Sequence, residues 1–331
     1  MTKRSLETEA QDRFAAEMGR YRRELLAHCY RMLGSSREAE DSVQETYLRA
    51  WRAYGSFERN ASARSWLYKI ATNVCLTALG SRRIRVLPSG LAGPYDGPER
   101  LADIVPPGEV SWLEPAPDAW LDATTDEPDM LIEARESLRL ALIASLQYLP
   151  ARQRATFLLR EILAFSAEEA AEILGTTTTA IKSGLQRARA TLDQRMPERE
   201  ALLEPTDSRA IELLAGYIAA FERSDASLLL QVLRADAALE ATPFRDWVTG
   251  RVKCIQLLQN YVLGTPGDWR MLATRANGQP AAALYRRDEN GALRSYGVVV
   301  LAPTPAGVSR VIAFHDPALN RLFGFQDTFE G

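Results

Sequence analysis

The sequence predicts a multi-domain protein: two all-α helical modules followed by an α+β domain. Three observations carry that expectation. The 331 residues amount to two or three domains at ~150 residues or fewer each. Apolar residues recur at helical intervals up to about residue 195, then give way after residue 205 to a mixture of helices and alternating runs separated by turn pairs. The third observation is charge: a total of only −3 conceals residues 1–90 at +6, 91–130 at −9, 131–195 at +2 and 196–331 at −2. Two basic blocks therefore flank one acidic strip.

The first block, residues 10–88, reads as a helical bundle. Phe14, Met18, Leu25, Leu26, Cys29, Tyr30 and Leu33 mark an amphipathic helix that Gly34 stops. In the next helix, over 37–54, Ala39, Val43, Tyr47 and Ala50 make one stripe. Asp41, Gln44, Glu45 and Leu48 fall at i, i+3, i+4 and i+7 on another, mostly polar face. After Gly55-Ser56 a third helix, over 63–81, places Trp66, Leu67, Ile70, Val74 and Leu79 inward and is followed by Arg82, Arg83 and Arg85. This helix interleaves Trp66, Tyr68, Lys69 and Asn73. Such a pattern suits melted DNA, because cations follow phosphates while rings and amides meet unstacked bases; a solvated helix face accounts for the same residues equally.

Residues 89–130 form a linker. Seven prolines and four glycines between Gly90 and Pro128 prevent a long helix. The apolar island of Val110 to Leu113 and Trp120-Leu121 is too large for a solvated tether, so part of the strip is expected to dock.

The second module, residues 131–196, carries Leu138, Leu142, Leu146 and Leu149 on one helix, ended by Pro150, and Phe157, Leu158 and Ile162 on the next. Ser166-Ala-Glu-Glu169 is a capping box, so a helix begins there. It ends at Gly175, and a second helix carries Ile181, Leu185, Ala188 and Leu192 inward. A short helix, a glycine-bearing turn and a second helix make a helix-turn-helix. Its outward face presents Thr178, Thr179, Lys182, Ser183, Gln186, Arg187 and Arg189, which combines phosphate binders with base-edge readers. An ordinary three-helix bundle remains the alternative on these residues alone.

Taken together, the motifs resemble the extracytoplasmic-function (ECF) sigma factors of bacterial RNA polymerase. Ala39-Glu-Asp-Ser-Val-Gln-Glu-Thr-Tyr-Leu-Arg-Ala-Trp51 is similar to region 2.2, and Ser65-Trp-Leu-Tyr-Lys-Ile-Ala-Thr-Asn73 to regions 2.3 and 2.4. Leu149-Pro-Ala-Arg-Gln-Arg154 and Ala180-Ile-Lys-Ser-Gly-Leu-Gln-Arg-Ala-Arg189 are similar to region 4. The resemblance implies core RNA polymerase (beta-prime coiled coil, beta flap) and promoter DNA as partners. It places Asp41, Gln44, Glu45 and Leu48 against beta-prime, and Phe57, Lys69, Asn73, Arg82 and Arg83 against the minus-ten element. Thr178, Thr179, Lys182, Ser183, Gln186 and Arg187 would face the minus-thirty-five element. Gly184 stands where the family often has a larger residue, which would remove one contact there. The acidic linker would occupy a basic cleft of the polymerase, and Trp112-Leu-Glu-Pro115 resembles a linker motif of the subgroup with an extra C-terminal domain.

In residues 206–331 helices are expected over 210–221, 228–233 and 252–263, and strands over 269–276, 281–287, 292–301 and 308–314. Asn277-Gly278 and Glu289-Asn-Gly291 are hairpin turns. The order resembles the SnoaL-like family, a curved sheet wrapped by helices into a cone-shaped barrel, as do Trp269-Arg-Met-Leu-Ala-Thr-Arg-Ala-Asn-Gly-Gln-Pro280 and Asp316-Pro-Ala-Leu319. The pocket of that fold leaves room for a small-molecule ligand. Glu240, Asp246, Tyr261, Tyr285, Tyr296, His315 and Asp316 are the candidate acid-base groups, but no spacing singles out a catalytic pair.

The expectation is therefore a sigma factor rather than an enzyme, with the third domain regulating it. A ligand-responsive DNA-binding repressor or a fused SnoaL-type isomerase or cyclase is the alternative. Two histidines and three dispersed cysteines predict neither a metal site nor a cofactor. With no apolar run of membrane-spanning length and no secretion signal at the start, a cytoplasmic location is expected.

Overall fold

The computed structural model describes residues 12–57, 62–80, 84–95, 104–120, 139–195 and 201–330. They form two compact units, Met1–Ile84 with Ala119–Pro197, and Arg85–Asp118 with Glu198–Gly331.

The first unit is helical. After α1 (residues 12–18), α2 (Arg22–Leu33) buries Leu25, Leu26, Cys29, Tyr30, Met32 and Leu33, and ends at Gly34. The Ser35 hydroxyl accepts from the Glu38 amide at 3.2 Å and so starts α3 (Ser36–Ala53), in which Ala39, Val43, Thr46 and Ala50 face inward. Tyr47 lies at the edge of that stripe and donates its hydroxyl to the Met18 carbonyl at 2.9 Å. Ser62 likewise caps α4 (Ala63–Leu79). Here the expected inward set shifts by one position, because Leu67, Tyr68, Ala71, Val74 and Cys75 are buried while Trp66 and Ile70 are half-buried.

His28 sits beneath this bundle, its Nε2 3.0 Å from Thr72 Oγ1 and its ring against Tyr68. Burial, helped by Arg31 and Arg64, holds its pKa down to about 3 from 6.5. Between those values the unfolded chain binds a proton that the folded chain refuses, so stability falls as pH drops through 6.5. Urea unfolding is expected to show a loss of about 2 kcal/mol from this group between pH 7.5 and 5.0. His28→Gln should flatten that dependence; an unchanged pH profile in the variant would contradict the assignment.

The second helical module comprises α5 (Leu140–Leu146), α6 (Ala151–Phe157) with a π turn over Leu158–Ile162, α7 (Ala167–Leu174) and α8 (Thr178–Arg195). Both bonds of the capping box form: Glu169 N–H donates to Ser166 Oγ at 3.1 Å and Ser166 N–H to the Glu169 carboxylate at 2.8 Å. Gly175, at φ 59°, supplies the left-handed turn, and Thr177 Oγ1 accepts from Ala180 N–H at 3.2 Å to open α8. Leu138 and the arginines Arg82 and Arg83 lie outside the described residues.

Gly184 corrects an expectation. It is buried on the inner side of α8, where a Cβ would meet Thr156 Oγ1 at 3.5 Å and Cγ2 at 3.6 Å. It therefore vacates no place on the exposed side of the helix, and the half-buried Leu185 beside it is less inward than its spacing predicts. Because the space accepts a methyl group, Gly184→Ala should gain up to ~1 kcal/mol of helix propensity and raise the melting temperature by about 2–4 °C. A lowered melting temperature would show the site to be tighter than its distances.

The second unit is built on a curved sheet. α9 (Ser208–Glu222) and α10 (Leu229–Val232) precede β3 (Leu233–Thr242) and β4 (Val248–Thr249). Then follow α11 (Arg251–Tyr261), β5 (Trp269–Ala276), β6 (Gln279–Arg287), β7 (Leu293–Thr304), β8 (Gly307–Phe314), α12 (Ala318–Leu322) and β9 (Thr328–Phe329). The strand order is β4-β3-β8-β7-β6-β5 with β9 on β7, and only β3 and β8 run parallel within this sheet. Four expected strands are present with edges moved by up to three residues. β3 was not expected, because its run of alanines with Leu239 and Glu240 carries helix-forming residue types. Gly297 lets the sheet bend: at φ 151° a Cβ would sit 1.9 Å from the Phe314 carbonyl, beside register shifts in β6–β7 and β7–β8.

The linker segment belongs to this unit. β1 (Arg85–Val86) pairs in parallel with β2 (Ser111–Trp112), and Leu87, Val105, Leu113 and Ala116 are buried. Backbone bonds then tie it to the sheet domain: Tyr95 N–H to Trp247 O at 2.7 Å, Val105 N–H to Pro243 O at 2.9 Å, and Asn277 N–H to Ala116 O at 3.0 Å. The Asn277-Gly278 hairpin turn answers with its own side, as Asn277 Oδ1 accepts from Ala116 N–H at 2.9 Å and Gly278 N–H donates to Asp118 at 2.8 Å. The apolar island thus docks at Leu113 and its neighbours, whereas Leu121 lies outside the described residues.

Candidate nucleic-acid interface

On α3 the side facing away from the bundle carries Asp41, Gln44, Glu45 and Leu48. Leu48 is 51% exposed and Trp51 36% on a helix that already buries a full inner stripe. Glu45 pairs with Arg49 at 2.6 Å along the same surface.

A second surface runs along α4. Phe57 and Trp66 pack at 4.6 Å between ring centroids with their planes tilted by 35°, and Lys69 and Asn73 stand exposed at i+3 and i+7 from Trp66. Trp66, expected inside, is therefore a half-exposed aromatic at the head of a cation and an amide. Tyr68 is the correction in the other direction: it is fully buried, donates to Glu24 at 3.3 Å and packs on Phe165, so it offers no platform to a base. Helical periodicity places Trp66 inside and the rhythm of rings and cations places Tyr68 outside, whereas the structure moves Trp66 outward and encloses Tyr68.

In the helix-turn-helix, Thr179, Lys182, Gln186 and Arg187 are exposed on α8, with Thr178 and Ser183 half-buried beside them. The opposite side is filled by Ile181, Gly184, Ala188 and Leu192. Arg189 is held away by Glu161, its Nη2 donating to both carboxylate oxygens at 2.9 and 3.0 Å. The two modules meet through Arg154, which is 4% exposed. Its guanidinium donates to the Met32 carbonyl at the end of α2, and also to Gln147 Oε1 at 2.7 Å, Gln147 O at 2.8 Å and Leu149 O at 3.2 Å.

Residues 18–84 match the family model for sigma-70 region 2, and residues 139–192 that for sigma-70 region 4. The ECF RNA polymerase sigma factor SigG of Mycobacterium tuberculosis (strain ATCC 25618 / H37Rv) is 46% identical over 317 residues, covering 95% of this chain and 84% of that protein. The chain belongs to the ECF RNA polymerase sigma factors. The probable ECF sigma factor SigI of the same strain is 27% identical over 231 residues, 69% of this chain and 70% of that one. The crystal structure of the Mycobacterium tuberculosis ECF sigma factor SigJ aligns with 94% of this chain and 100% of its own at a TM-score of 0.58 and 21% identity, a likeness of fold. The sigma factor's C-terminal domain is an α+β fold in which helices pack on a curved sheet to make a cone.

Inside that cone lies a cavity of about 180 Å³, walled by Tyr217, Phe221, Trp269, Met271 and Leu284. Of the candidate acid-base groups, Asp246, Tyr261, Tyr296 and His315 line it. The others do different work. Glu240 is fully buried in an ion pair with Arg310 and accepts from the linker amide of Ser89 at 2.8 Å. The Tyr285 hydroxyl donates to Gln326 O at 2.8 Å, and the Asp316 carboxylate accepts from Ala318 N–H at 3.0 Å just ahead of α12. Sequence reading missed Arg286, whose guanidinium lies 5.4 Å from the Trp269 ring and 5.8 Å from Tyr296 at the cavity. Among the described residues no group of three or more His, Cys, Asp or Glu side chains is placed to hold a metal ion, and no helix is long and apolar enough to cross a membrane.

Proposed function

We propose that this sigma factor docks the Asp41, Gln44, Glu45 and Leu48 face on the beta-prime coiled coil and its region 4 module on the beta flap of core polymerase. Phe57, Lys69 and Asn73, continued by Arg82 and Arg83, then hold the melted minus-ten strand, while Thr178, Thr179, Lys182, Ser183, Gln186 and Arg187 read the minus-thirty-five duplex. The exposed strip of Lys69 and Asn73 beside the Phe57–Trp66 ring pair carries this reading, since extruding a base costs a few kcal/mol that an aromatic and an amide return for the right base. The C-terminal domain regulates initiation by controlling the linker it binds, through a small-molecule ligand in its cavity, and has no catalytic task. The protein acts in the cytoplasm.

The test is promoter binding with and without core enzyme. Weak binding alone and strong binding as holoenzyme are expected; tight duplex binding without polymerase would favour a repressor. Arg187→Ala should lower the salt slope of holoenzyme binding by about one. Asn73→Ala should relax base choice in the minus-ten element, and unchanged selectivity would count against the assignment.

A further inference from the structure

We propose that the cavity of the cone is a binding site for a small aromatic acid, and that the linker between the two helical modules supplies one of its walls. This deepens the regulatory reading above and rests on it for its biological meaning, though not for the binding itself.

The size sets the first limit. A cavity of about 180 Å³ is slightly larger than the ~150 Å³ apolar void that takes up benzene, so it holds one aromatic ring with a small substituent. The inner walls, Tyr217, Phe221, Trp269, Met271 and Leu284, offer flat and polarisable surface and few hydrogen-bonding groups. One cluster of polar groups stands in the lining. There His315 packs against Tyr296 at 4.9 Å and Phe244 at 5.7 Å, with Arg286 held over Trp269 and Tyr296. Burial, and then the Arg286 charge, push the His315 pKa down to about 4, so the ring is neutral at pH 7. The charge felt at His315 is thus that of a cation. A carboxylate placed there pairs with Arg286 and leaves the apolar walls to the ring. Asp246 also lines the cavity and makes a cationic ligand the competing chemistry.

The wall is the unusual part. Tyr95 reaches the cavity from the linker, and its position is set by two hydrogen bonds with one residue: Tyr95 N–H donates to Trp247 O at 2.7 Å, and Trp247 Nε1–H donates to Ala92 O at 2.8 Å. Trp247 itself lines the cavity. A ligand that fills the space touches both partners of this clasp, and so favours the docked linker over the released one by whatever it gains from Tyr95 and Trp247.

Three probes of one shape separate the outcomes: 4-ethylbenzoate, 4-ethylbenzyl alcohol and 4-ethylbenzylammonium, titrated into the full chain by calorimetry while amide exchange is followed at Tyr95 and Val105. The acid should bind one to one, at least tenfold tighter than either analogue, and should slow exchange at Tyr95 by a similar factor. Arg286→Gln should reduce the preference for the acid over the alcohol to less than threefold. Leu284→Trp should abolish binding of all three. Absence of saturable binding, preference for the ammonium, or a preference that survives Arg286→Gln would each overturn the proposal, as would acid binding without slowed exchange at Tyr95. Because neither core polymerase nor promoter is present, failure here leaves promoter recognition untouched, and failure of promoter recognition leaves these titrations unaffected.

Discussion

Arg154→Met should destabilise the N-terminal unit by about 3–5 kcal/mol, the cost of removing one partner from a buried charged network. The guanidinium serves four acceptors: Met32 O, both oxygens of Gln147, and Leu149 O. Met32 lies in the last turn of α2, where carbonyls have no helical donor and must find one elsewhere. A methionine fills the volume but orphans every one of these oxygens. Burial holds the Arg154 pKa down to about 10, so the group is still charged at neutral pH and its desolvation has already been offset by the four bonds. Arg154→Lys should recover less than half of the loss, because three donors on a flexible stem cannot reproduce the planar fork. Since Met32 and Arg154 belong to different sigma modules, urea unfolding should also split into two transitions. A midpoint within error of the wild type would refute the role given to this arginine.

Leu48→Asp should weaken association with core polymerase by about 30-fold or more, equivalent to ~2 kcal/mol or greater, the effect of losing an apolar anchor and forcing a carboxylate out of water. Leu48 is half exposed on α3, and the inner stripe of Ala39, Val43 and Ala50 does not depend on it. Folding stability should therefore change by no more than about 0.5 kcal/mol. Fluorescence anisotropy of labelled sigma factor titrated with core enzyme reads the affinity, and a thermal melt supplies the control. An affinity within threefold of the wild type would remove α3 from the interface.

The features legible in the sequence were those that short-range chemistry decides. Ser166 and Glu169 could form their reciprocal cap wherever the chain went afterwards, and Asn277-Gly278 could adopt its left-handed pair without a tertiary partner. The exposed faces of α3 and α8 followed from periodicity because each helix has one clearly apolar side. Features that depend on distant neighbours were not legible. Tyr68 has the composition of a base-stacking residue and is instead enclosed by Glu24, His28 and Phe165. Alanines in β3 look helical until β4 and β8 pair on either side of it. Arg154 appeared only as part of a motif, and nothing local reveals that one of its acceptors, the Met32 carbonyl, lies 122 residues away. The linker's docking was anticipated from its apolar island, but its partner, the Asn277 turn, was read only as a hairpin.

The C-terminal unit is discontinuous in sequence, since Arg85–Asp118 folds with Glu198–Gly331 although region 4 lies between them. Truncation near residue 198 is consequently not a clean excision: it strips the cover from Val105, Leu113 and Ala116 and leaves unpaired the amides that Pro243, Trp247 and Asn277 had served. A shortened protein reports on a damaged connector as much as on a missing appendage. Anyone grafting this domain onto another sigma factor has to transplant two stretches of chain, with the recipient's region 4 module threaded between them.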